Sequence, residues 1–206
     1  NFASLAALIC YPLAIEPWLS LPSQMNSWTA GYGLFAAILA AAAFLQRTAP
    51  RDTAHPDPEG IPVSWVDFVF WLALPAAGSM LLVASTTHLT QNIAPVPFLW
   101  VMPLALYLFT YVMAFADGRW LHPALLRTLG LVGCAGLIVF YIGQTSHWSA
   151  KITIPGVNLS LLAACLFAHG ELAARKPHPR HLTLYYLTIS AGGALGGLSS
   201  APRLPG

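Results

Sequence analysis

ACLFAHGELAARKPHPRHLTLYYLTISAGGALGG, residues 164–197, runs from an apolar stretch through His169-Gly170-Glu171 into a basic, proline-punctuated turn. It then enters a second apolar stretch that ends in paired glycines. Taken alone it has three readings: a catalytic site, a ligand site, or a hairpin between two membrane helices. Composition chooses among them. Of 206 residues, 57% are hydrophobic and 8% charged, against roughly a quarter charged in soluble domains. A soluble protein of this size could not cover its surface with so few charges, so the hairpin reading sets the fold class: an all-α, polytopic transmembrane helical bundle.

Working outward from that hairpin, stretches of about 20 apolar residues, the length needed to cross roughly 30 Å of hydrocarbon, mark about seven membrane-spanning helices. They cover approximately 2–15, 28–45, 65–87, 95–116, 123–143, 155–173 and 182–201. The first is too short to span unless its helix begins before Asn1. Lipid offers the backbone no hydrogen-bond partner, so these runs are helices, and the alternation of a barrel strand is absent. The whole chain reads as one transmembrane domain, with residues 46–64, rich in proline and mixed charge, as a flexible cytoplasmic loop.

Charge placement gives an independent test, because cytoplasmic loops are enriched in Lys and Arg. Arg47, Arg51, Arg119, Arg127, Arg175, Lys176 and Arg180 fall on one side, and Lys151 and Arg203 on the other. That places the N-terminal end and the 46–64 loop in the cytoplasm. Trp18, Trp28, Trp65, Trp120 and Trp148 fall at expected ends, where an indole is stable at headgroup level. Every charge sits near an end too, which argues against a buried proton relay or a voltage sensor. A net charge of +2, scattered, gives no nucleic-acid footprint. Cys10, Cys134 and Cys165 lie within apolar runs and read as buried free thiols without metal-ligand spacing. The chain starts at Asn1 without a charged leader, which reads as a fragment or processed product.

Four constellations carry candidate chemistry. His169 and Glu171, near the cytoplasmic end of the sixth run, form either a ligand-binding His and carboxylate or an interfacial anchor. In the second case Glu171 pairs with Arg175 at i+4, or with Arg180 and His181 across the turn. At i and i+2 their side chains point about 200° apart on a helix, which makes a shared ligand difficult. STTHLTQN, residues 85–92, holds His88 and Gln91. It is either a polar helix end or a place where His88 ligates a haem or chlorophyll-type pigment, an option that extends to His169. Pro12, Pro75 and Pro103 can kink helices, as in many transporters, or serve as plain packing devices. Gly192 with Gly196, and Gly193 with Gly197, follow the small-x-x-x-small pattern of close helix contact. A phosphate-binding reading of those glycines would need a βαβ unit, which is missing.

Three long stretches, NFASLAALICYPLAIEPWLSL, HLTQNIAPVPFLWVMPLALYL and HGELAARKPHPRHLTLYYLTISAGGALGG, cover nearly the whole chain in order. They resemble the multispanning bacterial membrane proteins whose membrane half is fused to a spermidine-synthase-like domain. That family tends to have Cys where Ala168 stands here, and Asn and Asp where Thr87 and Asn92 stand, so roles depending on that thiol or carboxylate do not carry over. The resemblance implies further helices before Asn1 and a cytoplasmic synthase-like domain afterwards. This chain contains neither the glycine-rich donor loop nor the acidic polyamine site of such a domain.

These observations lead to a non-catalytic protein of the bacterial inner membrane, an accessory or structural subunit packed against lipids and other membrane subunits. No cofactor is expected beyond the pigment option. The alternative is a transporter-like module for a small cation or polyamine, with Glu171, His169 and the outer polar cluster as contacts. A carboxylate in a solvated cavity between kinked helices would favour transport, and lipid-facing or fully packed prolines would count against it.

Overall fold

The computed structural model describes residues 2–47, 63–93, 96–116, 122–143 and 148–200. Arg51, Arg119, Trp120, Arg203 and most of the 46–64 loop lie outside the described residues. Among the described residues, seven α-helices follow in chain order: α1 Phe2–Cys10, α2 Leu21–Arg47, α3 Trp65–Asn92, α4 Pro97–Phe115, α5 Pro123–Ile142, α6 Ala150–Ala174 and α7 Leu182–Ser199. No strand occurs among the described residues.

Five helices, α2 to α6, are long and apolar enough to cross a membrane. The seven expected spans are therefore reached in part. The helix α1 has only 9 residues, and in α7 four glycines and the hydroxyls of Thr, Tyr and Ser dilute the apolar character. Boundaries also shift from the expected runs. The helix α2 begins at Leu21, which leaves Trp28 two turns inside it. The helix α6 takes in Lys151 and Pro155.

Where one domain is expected from the sequence, the chain divides into two compact units, Ala6–Gly60 and a larger one of Asn1–Leu5 with Ile61–Gly206. In the smaller unit, α1 runs into a π-helical turn, Tyr11–Ile15, that contains Pro12. A proline cannot donate to the helical ladder, and a wider turn accommodates it. The Tyr11 hydroxyl donates to Gln24 Oε1 at 3.1 Å and Gln24 Nε2 donates to the Leu19 carbonyl at 2.8 Å. That amide joins the turn to the start of α2.

In the larger unit, α3, α4 and α6 pack against one another, α5 lies along α6, and α7 lies along α3. Local signals set several helix starts. Ser64 accepts from the Val66 amide at 3.3 Å, His122 Nδ1 from the Ala124 amide at 3.3 Å, and Pro123 occupies the first position of α5, where its missing N–H leaves no bond unmade. Asp67 in the first turn of α3 complements the helix dipole.

Glycines set how closely the helices approach. A Cβ on Gly192 or Gly196 would meet the Leu72 and Ala76 carbonyls of α3. A Cβ on Gly133 would lie 2.6 Å from the Ser160 carbonyl oxygen, and one on Gly130 2.6 Å from the Phe167 ring. Both seams therefore bring backbone to backbone, the contact that small residues permit in lipid. Pro75, Pro103 and Pro155 lie inside continuous helices, and Pro75 and Pro103 are fully buried. Expectation and structure differ on the cysteines: only Cys165 is buried, while Cys10 and Cys134 are exposed, and all three are free thiols. In a membrane, an exposed thiol on an apolar helix faces lipid and needs no protein partner.

Candidate functional site

The inward face of α6 carries Asn158, Leu161, Cys165, His169 and Leu172, all buried. Positions spaced by three and four residues share one face of a helix, and this face meets α3 and α4. His169 lies among these core residues at 0% exposure. This corrects the interfacial anchor: the imidazole faces the core of the bundle.

Three side chains of α4 surround the ring. Thr110 Oγ1 lies 2.8 Å from His169 Nδ1, the Tyr111 ring is tilted over it with centroids 3.7 Å apart, and the Tyr107 ring meets it edge-on at 4.9 Å. Spacing of three and four residues places Tyr107, Thr110 and Tyr111 on one face of α4, a period present in the sequence but not recognised there as a site. From α3, Gly78 completes the enclosure. A Cβ there would stand 3.4 Å from both His169 Nε2 and Tyr107 Cε2. A tetrapyrrole has no approach to this nitrogen without parting the helices, so the packing disfavours the pigment option at His169.

Glu171 turns away from that cluster and forms an ion pair with Arg175 one turn later. The Arg175 guanidinium also lies over the Phe70 ring, 4.2 Å from its centroid. Of the two pairings expected for Glu171, the helical one is present. His169 and Glu171 therefore share no ligand, as their angular separation anticipates.

The end of α6 is closed by two aromatic donors. Trp71 Nε1 donates to the Arg175 carbonyl at 3.0 Å and the Tyr185 hydroxyl to the Leu172 carbonyl at 2.8 Å, while the two rings meet edge to face at 5.2 Å. The Leu172 carbonyl also accepts from the Arg175 amide at 3.2 Å, and α3 and α7 supply further donors to this helix end. Sequence reasoning missed Trp71 and Tyr185. An aromatic residue in an apolar run looks the same whether it faces lipid or core.

The residues 85–92 form the last turns of α3. Ser85 and His88 face inward and Gln91 is exposed, so the polar cluster is split between two faces. The His88 ring stacks on Tyr141 of α5 with centroids 5.0 Å apart. Asn92 Nδ2 donates to the His88 carbonyl at 2.9 Å and lies 3.3 Å from its Nδ1. Asn92 thus completes a helix end.

The glycine pairs separate. Gly192 and Gly196 are buried against α3, Gly193 has only the Ser79 hydroxyl nearby, and Gly197 has open space. No group of three or more His, Cys, Asp or Glu able to hold a metal ion occurs among the described residues. What the arrangement offers chemically is hydrogen bonding within the bundle, with one imidazole nitrogen at its centre. No family model, characterised protein or solved structure matches this chain.

Proposed function

We propose that this chain is a non-catalytic, multi-pass protein of the bacterial inner membrane, an accessory or structural subunit of a larger assembly. In this reading it resembles the membrane half of the spermidine-synthase-like fusion proteins, and α7 crosses the membrane alongside α3. The observation that carries the reading is the packing of Pro75 and Pro103, both under 2% exposed. Each proline leaves the carbonyl four residues earlier without its helical partner. In a transporter such carbonyls serve the solute only when they line a solvated cavity.

Glu171 supports the same reading, because the carboxylate a polyamine would need is engaged by Arg175 on its own helix. The glycine seams draw the helices together at backbone contact, as suits a bundle that holds its shape. Lipids and neighbouring membrane subunits would cover its broad apolar surface.

The test is cross-linking in native membranes followed by reconstitution. We expect one neighbouring subunit in fixed stoichiometry, cross-linked through the apolar helix surfaces, and no saturable uptake of radiolabelled spermidine or putrescine into proteoliposomes. Saturable uptake by the chain alone would overturn the proposal in favour of transport.

A further inference from the structure

The turn between α6 and α7, residues 175–181, carries Arg175, Lys176, His178, Arg180 and His181. It is the densest basic stretch among the described residues, and it joins two apolar helices. With α6 and α7 both crossing the membrane, as proposed above, it lies at headgroup level, and the present inference rests on that placement.

Its permanent cations are not equivalent. Arg175 is already engaged: its Nη1 meets the Glu171 carboxylate, and its guanidinium covers the Phe70 ring. That ion pair is the only one among the described residues. Lys176 and Arg180, both exposed, therefore have no carboxylate partner there. Asp67, the other acidic residue at this end of the bundle, lies in the first turn of α3 and pairs with neither. Four residues apart on a tight turn, both with long side chains, the two cations can reach one anionic group.

The fold fixes where they stand. Pro177 and Pro179 each lock one backbone angle. The His181 amide donates to the His178 carbonyl at 2.9 Å, and the Lys176 amide to the Ala173 carbonyl at 3.3 Å. Beneath them, Trp71 and Tyr185 tie the end of α6 to α3 and α7. A ligand held by the turn thus meets backbone that is already ordered, and binding loses little chain entropy.

The surface beside these charges is apolar and uncovered. Leu184 and Leu187 follow Arg180 in α7, and both are exposed, as is Phe70 under Arg175. A soluble anion or an acidic protein segment would use the charges and leave this apolar flank bare. A zwitterionic lipid would bring an ammonium that the cations repel. A lipid of net negative charge satisfies both parts.

We propose that the α6–α7 turn binds one anionic phospholipid, its phosphodiester held by Lys176 and Arg180 and its acyl chains lying against α7 at Leu184 and Leu187. The experiment is native mass spectrometry of the full chain released from nanodiscs of phosphatidylcholine with a minor fraction of phosphatidylglycerol. We expect one phosphatidylglycerol retained per chain, enriched over its share of the nanodisc. Lys176→Gln and Arg180→Gln should each lower the bound fraction about fivefold, the weight of one basic side chain at an anionic surface, while Lys176→Arg retains it. Both positions are exposed without a partner to lose, so these variants keep the fold. Arg127→Gln removes an exposed cation of α5 at the same end of the bundle, where Leu126 approaches Gly170, and should leave retention nearly unchanged.

Equal losses in Lys176→Gln, Arg180→Gln and Arg127→Gln would reveal a diffuse surface potential and overturn the site. So would retention of the two lipids in their mixing ratio. Alkaline extraction of membranes checks insertion separately. A chain that stays inserted but shows no preference for phosphatidylglycerol overturns this inference alone, and a chain that is extracted overturns the membrane reading with it.

Discussion

The glycine run of α7 holds two pairs that are equivalent as sequence and opposite as structure. Gly192 and Gly196 press against the α3 backbone, whereas Gly193 and Gly197 look toward a hydroxyl and open space. Both pairs obey the same four-residue spacing. The difference teaches that spacing identifies a face able to pack, while the rotation of the helix decides which face does.

Leucine at Gly196 should break the comparison most sharply. Its side chain would need the volume occupied by the Ala76 carbonyl, and the helices would have to part. We expect loss of the monodisperse species in detergent and destabilisation above about 4 kcal/mol, in the range of severe overpacking and lost partners. A Gly196→Leu variant that retains wild-type melting would show that α7 packs through another face.

The seam between α5 and α6 extends the comparison to a second pair of helices. Gly133→Ala should cost about 1–3 kcal/mol in reversible SDS unfolding, because its methyl meets the Ser160 carbonyl and the Ala164 amide, both backbone atoms unable to rotate aside. A neutral result would mean that α5 shifts freely along α6.

Trp71→Phe keeps most of the apolar contact with Tyr185 and removes the indole donor to the Arg175 carbonyl. We expect a loss of about 1 kcal/mol, the usual net contribution of one hydrogen bond, and faster amide exchange in the last turn of α6. Unchanged exchange there would remove the capping role. Glu171→Gln should do less, about 0.5 kcal/mol, since its partner Arg175 is partly exposed.

The smallest effect should come from Gly197→Ala. Nothing lies within 4 Å of its added methyl, and alanine is the better helix former, so stability should stay within about 0.5 kcal/mol or rise slightly. Destabilisation beyond 1 kcal/mol would show that another helix or subunit occupies that space in the membrane.

Much of the architecture was legible in advance. The apolar runs anticipated the long helices. The angular argument separated His169 from Glu171, and the four-residue rule named the Glu171–Arg175 pair. Less legible were the second seam, written as Gly130, Gly133 and Gly136 at three-residue spacing, and the Tyr107, Thr110 and Tyr111 face of α4. The inward turn of His169 was not legible at all.

The reason lies in the solvent. In water, a helix shows its buried face by the contrast between apolar and polar residues. In lipid, the outside is as apolar as the core, so that contrast vanishes and rotation about the helix axis leaves little trace in the sequence. Composition and run length, being local properties, determined by themselves that this is a helical chain built of membrane-crossing lengths. Only the tertiary structure decided which glycines meet backbone, which histidine is enclosed, and which carbonyls Trp71 and Tyr185 cap. Each of these depends on the relative rotation and depth of helices distant in sequence, which only their mutual packing sets.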